Sequence, residues 1–94
     1  MPKRNEQVEA EWRVYSQRFA TSLRTARNDA GMSQEDVAYR AGLTRYTYQK
    51  YEKGESRPST PVNPTMRTLL ALSQVLEVSL EQLLPDAPPD LRTR

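Results

Sequence analysis

The run Gly31-Met32-Ser33-Gln34-Glu35-Asp36-Val37-Ala38, continued by Ala41-Gly42-Leu43-Thr44 and closed by Tyr51-Glu52-Lys53-Gly54, decides how this chain of 94 residues folds. Ser33 stands where its hydroxyl can cap the free amides of a helix start. Asp36, three residues on, completes a capping-box arrangement. Val37, Ala38 and Ala41 give that helix a narrow inner face against which a second helix can pack closely. Gly42 sits at the sharp corner between the two, because glycine accepts the left-handed backbone that ends a helix. Thr44 is a second N-cap, and the helix it starts runs to Lys53. On it Tyr48 and Tyr51, one turn apart, face the core, while Arg45, Tyr46, Gln49, Lys50 and Lys53 share the opposite face.

Upstream, Val8, Trp12, Tyr15, Phe19, Leu23 and Ala26 recur at spacings of three and four and mark one stripe of a long helix over residues 5–30. At about 1.5 Å per residue such a helix reaches roughly 39 Å, so its first half overhangs a small domain. Downstream, the two prolines between Gly54 and Asn63 predict an exposed loop. Asn63-Pro64 then suits a cap followed by proline at the first helical position. Met66, Leu69, Leu70, Leu72, Val75 and Leu76 make the most apolar helix, the centre of the core. Ser79 caps a last short helix through Leu83 and Leu84, and Pro85 ends it. The expected organisation is an N-terminal helical extension over 1–16, a domain over 17–84 and a disordered tail over 85–94.

The chain has no cysteine and no histidine. That removes disulfides, thiol chemistry, imidazole acid-base catalysis and the commonest metal ligands, so no enzyme, metal site or cofactor is expected. Glu35 and Asp36 are acids at a helix start, where the dipole favours them, not a catalytic pair. No apolar run approaches a bilayer span and no export signal precedes the domain, so a soluble, cytoplasmic protein is expected with no membrane partner. The formal charge of +2 names no partner by itself. Its placement is more telling: residues 1–54 hold ten basic against seven acidic side chains, and residues 55–94 four against five.

The three quoted stretches, in that order and spacing, resemble the phage-repressor or Xre-type helix-turn-helix family. The resemblance extends through Asn63-Pro64-Thr65-Met66-Arg67-Thr68-Leu69-Leu70 and Val78-Ser79-Leu80-Glu81-Gln82-Leu83-Leu84, and covers about Gln17 to Leu84. It implies an all-α, five-helix, lambda-repressor-like DNA-binding domain, here with an extended first helix. It also implies a transcriptional regulator that pairs as a homodimer on double-stranded operator DNA. Two features depart from the pattern: the loop after Gly54 is longer by about six residues, and the extension before Gln17 lies outside it.

In such a domain the second helix of the motif enters the major groove with its N-terminal residues at base edges. Arg45 is then the leading base reader, since a guanidinium can donate two parallel bonds to guanine. Tyr46 offers its ring to a thymine methyl or its hydroxyl to a phosphate. Gln49 and Lys50 reach bases or backbone, and Lys53 a phosphate. Ser33, Gln34 and Thr44, at helix N-termini, either clamp phosphates or serve only as caps. The family likeness gives Gln34 the further task of buttressing the recognition helix, and gives Arg27 and Glu52 a structural salt bridge.

Val8, Trp12 and Tyr15 fall outside the likeness and need a surface to cover. Three readings stay open: the C-terminal segment near Leu80 and Leu84, a second subunit, or both. Lys3 and Arg4 could add a minor-groove arm. The sequence thus reads as a sequence-specific repressor with its recognition helix over 44–53. The alternative is an antitoxin-like module that binds a protein partner through its N-terminal helix.

Overall fold

Four hydroxyl side chains start four of the helices. In the computed structural model, which describes residues 2–92 and the side chains of residues 6–92, each accepts a backbone amide three residues on. The pairs are Ser33 with Asp36, Thr44 with Thr47, Thr65 with Thr68, and Ser79 with Gln82. Such caps satisfy amides that a helix cannot bond internally, each for about 1 kcal/mol. The elements are α1 (Pro2–Asp29), α2 (Gln34–Arg40), α3 (Arg45–Lys53), β1 (Glu55–Arg57), β2 (Thr60–Pro61), α4 (Met66–Leu76) and α5 (Leu80–Leu83). At Ser79 the Gln82 side chain also accepts from the Ser79 amide, a full reciprocal box. For Ser33 and Asp36 the structure gives only the backbone half.

The core joins Phe19 and Leu23 of α1, Val37 and Ala38 of α2, Tyr48 of α3, Leu72 and Leu76 of α4, Leu83 of α5, and Val62. The corner between α2 and α3 is fixed by Leu43 N donating to Ala38 O at 2.8 Å and Gly42 N to Tyr39 O at 3.1 Å, with Gly42 at φ 75°. α1 is the long axis of the molecule: 28 residues in a body of 44 × 26 × 20 Å. Its fully buried side chains, Ser16, Phe19, Ala20 and Leu23, begin only at position 16, while Val8, Trp12 and Tyr15 upstream are half-buried.

Three expectations need correction. The fold is mostly helical but not all-α, because residues 55–61 form a two-stranded antiparallel hairpin with a register irregularity between Glu55 and Arg57. The segment 55–62 is not simply an exposed loop either: Val62 is buried in the core and its amide donates to Gly54 O at 3.0 Å. A lone valine between prolines gives no periodic signal, yet it joins the buried core, and its carbonyl accepts from Ser16 of α1. Thirdly, α4 is capped by Thr65, not by Asn63 with Pro64 at the first position. Asn63 and Pro64 are spent in bringing the chain from the hairpin to the helix, and Met66 consequently points outward, 74% exposed.

Of the tail expected over 85–94, residues 93–94 lie outside the described residues, and residues 85–92 carry no helix or strand and run beside α1. Tyr15 Oη donates to Pro85 O at 2.8 Å, and Arg18 pairs with Asp86 at 2.7 Å. No helix among the described residues is long and apolar enough to cross a membrane.

Candidate nucleic-acid interface

One carboxylate positions α3. Glu52, 3% exposed, receives Arg27 of α1 on both oxygens, Nε to Oε2 at 2.6 Å and Nη2 to Oε1 at 3.1 Å. Gln34 of α2 donates to Oε1 at 2.9 Å, and Tyr48, one turn back on α3, donates its hydroxyl to Oε2. Arg27 Nη1 also reaches Met32 O at 3.0 Å, so the guanidinium ties together the turn before α2 and the far side of α3. Burial opposes ionisation of Glu52, but the bonds from Arg27, Tyr48 and Gln34 outweigh it and hold the carboxyl below its ordinary pKa. Burial and then the Glu52 carboxylate push the Tyr48 phenol well up, so it remains a donor. The hydrogen bond to Glu52 raises Arg27, against the effect of its own desolvation.

Gln34 is therefore turned inward, with its carbonyl accepting from Gln49 Nε2 at 3.4 Å. This links α2 to the same helix that Glu52 anchors. The hydroxyls of Ser33 and Thr44 are engaged with their own chain: Ser33 Oγ accepts from Asp36 N, and Thr44 Oγ1 accepts from Thr47 N while donating to Thr47 Oγ1 at 3.0 Å. What these positions can still offer an anion is the unpaired amides of each first helical turn.

With Tyr48 and Glu52 buried and Tyr51 packed against the core, the opposite side of α3 faces outward. Arg45 and Lys53 are exposed, Tyr46 is 70% exposed, and Gln49 and Lys50 are half-buried beside them. Lys50 Nζ stands 4.4 Å from the centre of the Tyr46 ring, a cation–π pair that extends the ring across the face and holds the ammonium near it. Arg45, Tyr46, Gln49, Lys50 and Lys53 thus form one contiguous face.

Several supporting side chains carry no individual sequence signal. Arg24 Nη1 donates to Glu52 O and Gln17 Nε2 to Lys53 O at 3.1 Å, so α1 also satisfies the C-terminal carbonyls of α3. Arg13 Nη2 reaches Ser59 O in the hairpin at 3.3 Å. The spacing of 13, 17 and 24 places all three along one side of α1, a polar stripe next to the apolar one, and that spacing is the signal that could have found them. Gly54, at φ 82°, ends α3 directly under Gln17: a Cβ there would lie 2.6 Å from Gln17 Nε2.

Away from this face, Trp12 stacks on Tyr15 with ring centroids 5.9 Å apart, and Tyr15 bonds to Pro85, just past the Leu80–Leu84 segment expected to meet it. Burial raises the Tyr15 pKa, with Arg18 pulling it back and Asp86 adding to it. The side chains of Lys3 and Arg4 lie outside the described residues. Among the described residues no cluster of three or more acidic side chains could hold a metal ion.

No curated protein and no solved structure matches the chain. A family model described as a helix-turn-helix domain matches residues 18–84, which spans α2, the Gly42 corner and α3 together with most of the helices packed around them. On that match and this geometry, the chain belongs to the helix-turn-helix domain family.

Proposed function

We propose that the protein is a sequence-specific regulator of transcription, acting as a repressor, that binds double-stranded DNA with α3 in the major groove. The observation that carries this reading is the division of α3 into two faces. Its inner face is fixed by Glu52, Arg27, Gln34 and Tyr48, and its outer face presents Arg45, Tyr46, Lys50 and Lys53, with Gln49 beside them bonded to Gln34. A rigidly held helix with cationic and amide side chains outward is what reading base edges requires. Arg45, in the first turn, reads a guanine. Tyr46, Gln49 and Lys50 share base and backbone contacts, and Lys53 takes a phosphate. Ser33, Gln34 and Thr44 present helix-start amides to the backbone on either side.

Two copies pair on a two-fold operator whose half-site centres lie about 34 Å apart, one turn of the duplex. Selection of bound duplexes from a random pool tests both statements at once, since recovered sites should show an inverted repeat at that spacing. Arg45→Ala should cost about 1–3 kcal/mol of discrimination at one base pair and relax the preference there. If the variant keeps both affinity and preferred sequence, Arg45 is not the reader.

A further inference from the structure

We propose that a second copy of this chain docks on the outward face of the first half of α1. The two helices run antiparallel about a two-fold axis beside Val14, with Glu11 of each copy paired to Arg18 of the other. This deepens the reading that two copies meet on one operator, and rests on it. α1 runs for about four turns before Ser16, the first fully buried side chain among the described residues. So short a helical stretch is marginal in water without a surface to pack on. Trp12 and Tyr15 are only half-buried there, and Val14 is 60% exposed. Beside Val14 runs a groove of about 350 Å³, walled by Ala10 and Tyr15 of the helix and by Ala87 and Pro89 of the C-terminal segment.

The charges around that groove point to its occupant. Gln7, Glu11, Val14 and Arg18 recur at spacings of four, three and four, which puts them on one stripe of α1. Glu11 accepts from Gln7 Nε2 at 3.1 Å and, among the described residues, is in no ion pair within 4.0 Å. Arg18 is held at the same face by Asp86, through Nη2 at 2.7 Å, and lies 5.9 Å from the centre of the Tyr15 ring. The two charges are two turns apart, about 10.5 Å along the axis, with Val14 between them. A parallel pair would set Glu11 on Glu11 and Arg18 on Arg18. An antiparallel pair sets each acid on a cation and Val14 of one copy against Val14 of the other, the self-complementary pattern that a two-fold interface requires. A foreign helix would have to supply that arrangement, whereas a second copy already carries it. Gln17 and Arg24, which bond to α3, leave α1 on another side, so the pairing does not use the side that holds the recognition helix. The contact is small, about four turns of helix from each copy, so the free dimer is a weak one that dissociates at micromolar concentrations.

The chain has no cysteine, so single introduced thiols report the pairing directly. Oxidation of Val14→Cys should link two copies by a disulfide, since position 14 lies next to the axis. Ala10→Cys should not link, because its mate is about 13.5 Å away along the helices. Sedimentation across a range of concentrations, without DNA, should show a dimer that Glu11→Arg and Arg18→Glu each weaken by at least about tenfold, because each reversal sets like charges together. The double variant, with the charges exchanged, should regain most of the parent's affinity. Failure of Val14→Cys to link, or equal linking of Ala10→Cys, overturns the proposal. So does a dimer that neither reversal weakens, or a double variant no tighter than the single ones. Each of these results leaves the operator reading intact, since copies joined elsewhere would still recover inverted repeats from a random pool. A parent that stays a single chain at every concentration and recovers only single half-sites overturns the paired-operator reading and this surface together.

Discussion

Two arginine–carboxylate pairs in this molecule have almost the same length, 2.6 Å for Arg27–Glu52 and 2.7 Å for Arg18–Asp86, and very different surroundings. In the first, the partners are 15% and 3% exposed and the carboxylate collects two further donors. In the second, they are 43% and 95% exposed and the aspartate has water on nearly every side. Distance therefore says little about what either pair does. The buried one fixes how three helices meet, because removing either partner strands a charge in the interior. The exposed one draws the C-terminal segment toward α1 and is screened by solvent and salt.

The sharpest way to break this comparison is Glu52→Ala. Leaving Arg27 buried and uncompensated costs about 3–5 kcal/mol. For a domain of this size, at about 4–8 °C per kcal/mol, the thermal midpoint should fall by at least about 12 °C. Operator binding should be lost with it; an unchanged midpoint would show that burial of the pair is not what matters. The same carboxyl sets an acid limb. Its folded pKa lies below the ordinary 4.5, so its contribution is fully present above that value and is lost as pH falls through the folded pKa. Glu52→Gln should flatten that limb in an acid titration of stability.

Gly54→Ala comes next. It forces a left-handed backbone on alanine and displaces the Gln17 amide, for about 1–3 kcal/mol in chemical denaturation. Because Gln17 is a flexible side chain, the effect should remain below that of Glu52→Ala. The smallest effect belongs to Asp86→Ala, at most about 1 kcal/mol and shrinking as salt is added. A loss there as large as at Glu52 would show that the C-terminal segment is part of the fold's foundation.

Legibility in the sequence followed the range of the interaction. Ser33, Thr44 and Ser79 as caps, and the stripe through Phe19 and Leu23, were readable because a helix start and a helix face are decided within a few residues. The start of α4 was misplaced because Asn63-Pro64 and Thr65 both satisfy the local rule. Only the demand that Val62 reach the core selects the second. The hairpin was missed for a related reason: with so few ladder bonds of its own, it depends on Arg13, Ser16 and Gln17, which lie more than thirty-five positions upstream. At the candidate site, the outward face of α3 was visible from spacing alone. The family likeness supplied the pairing of Arg27 with Glu52. It also gave Gln34 the task of buttressing the recognition helix, but not that the amide does so through Glu52 and Gln49, which depends on the depth at which α2 sits.

The convergence of Arg27, Gln34 and Tyr48 on one carboxylate has a consequence for the energetics of any encounter. The helix that would enter the groove is already in its final orientation, so association need not pay for ordering it. Calorimetry of such a complex should show a heat-capacity change sized to the contact surface alone, without the larger value that accompanies a segment folding as it binds. The protein would arrive as a finished tool, having met the cost of its shape when it folded.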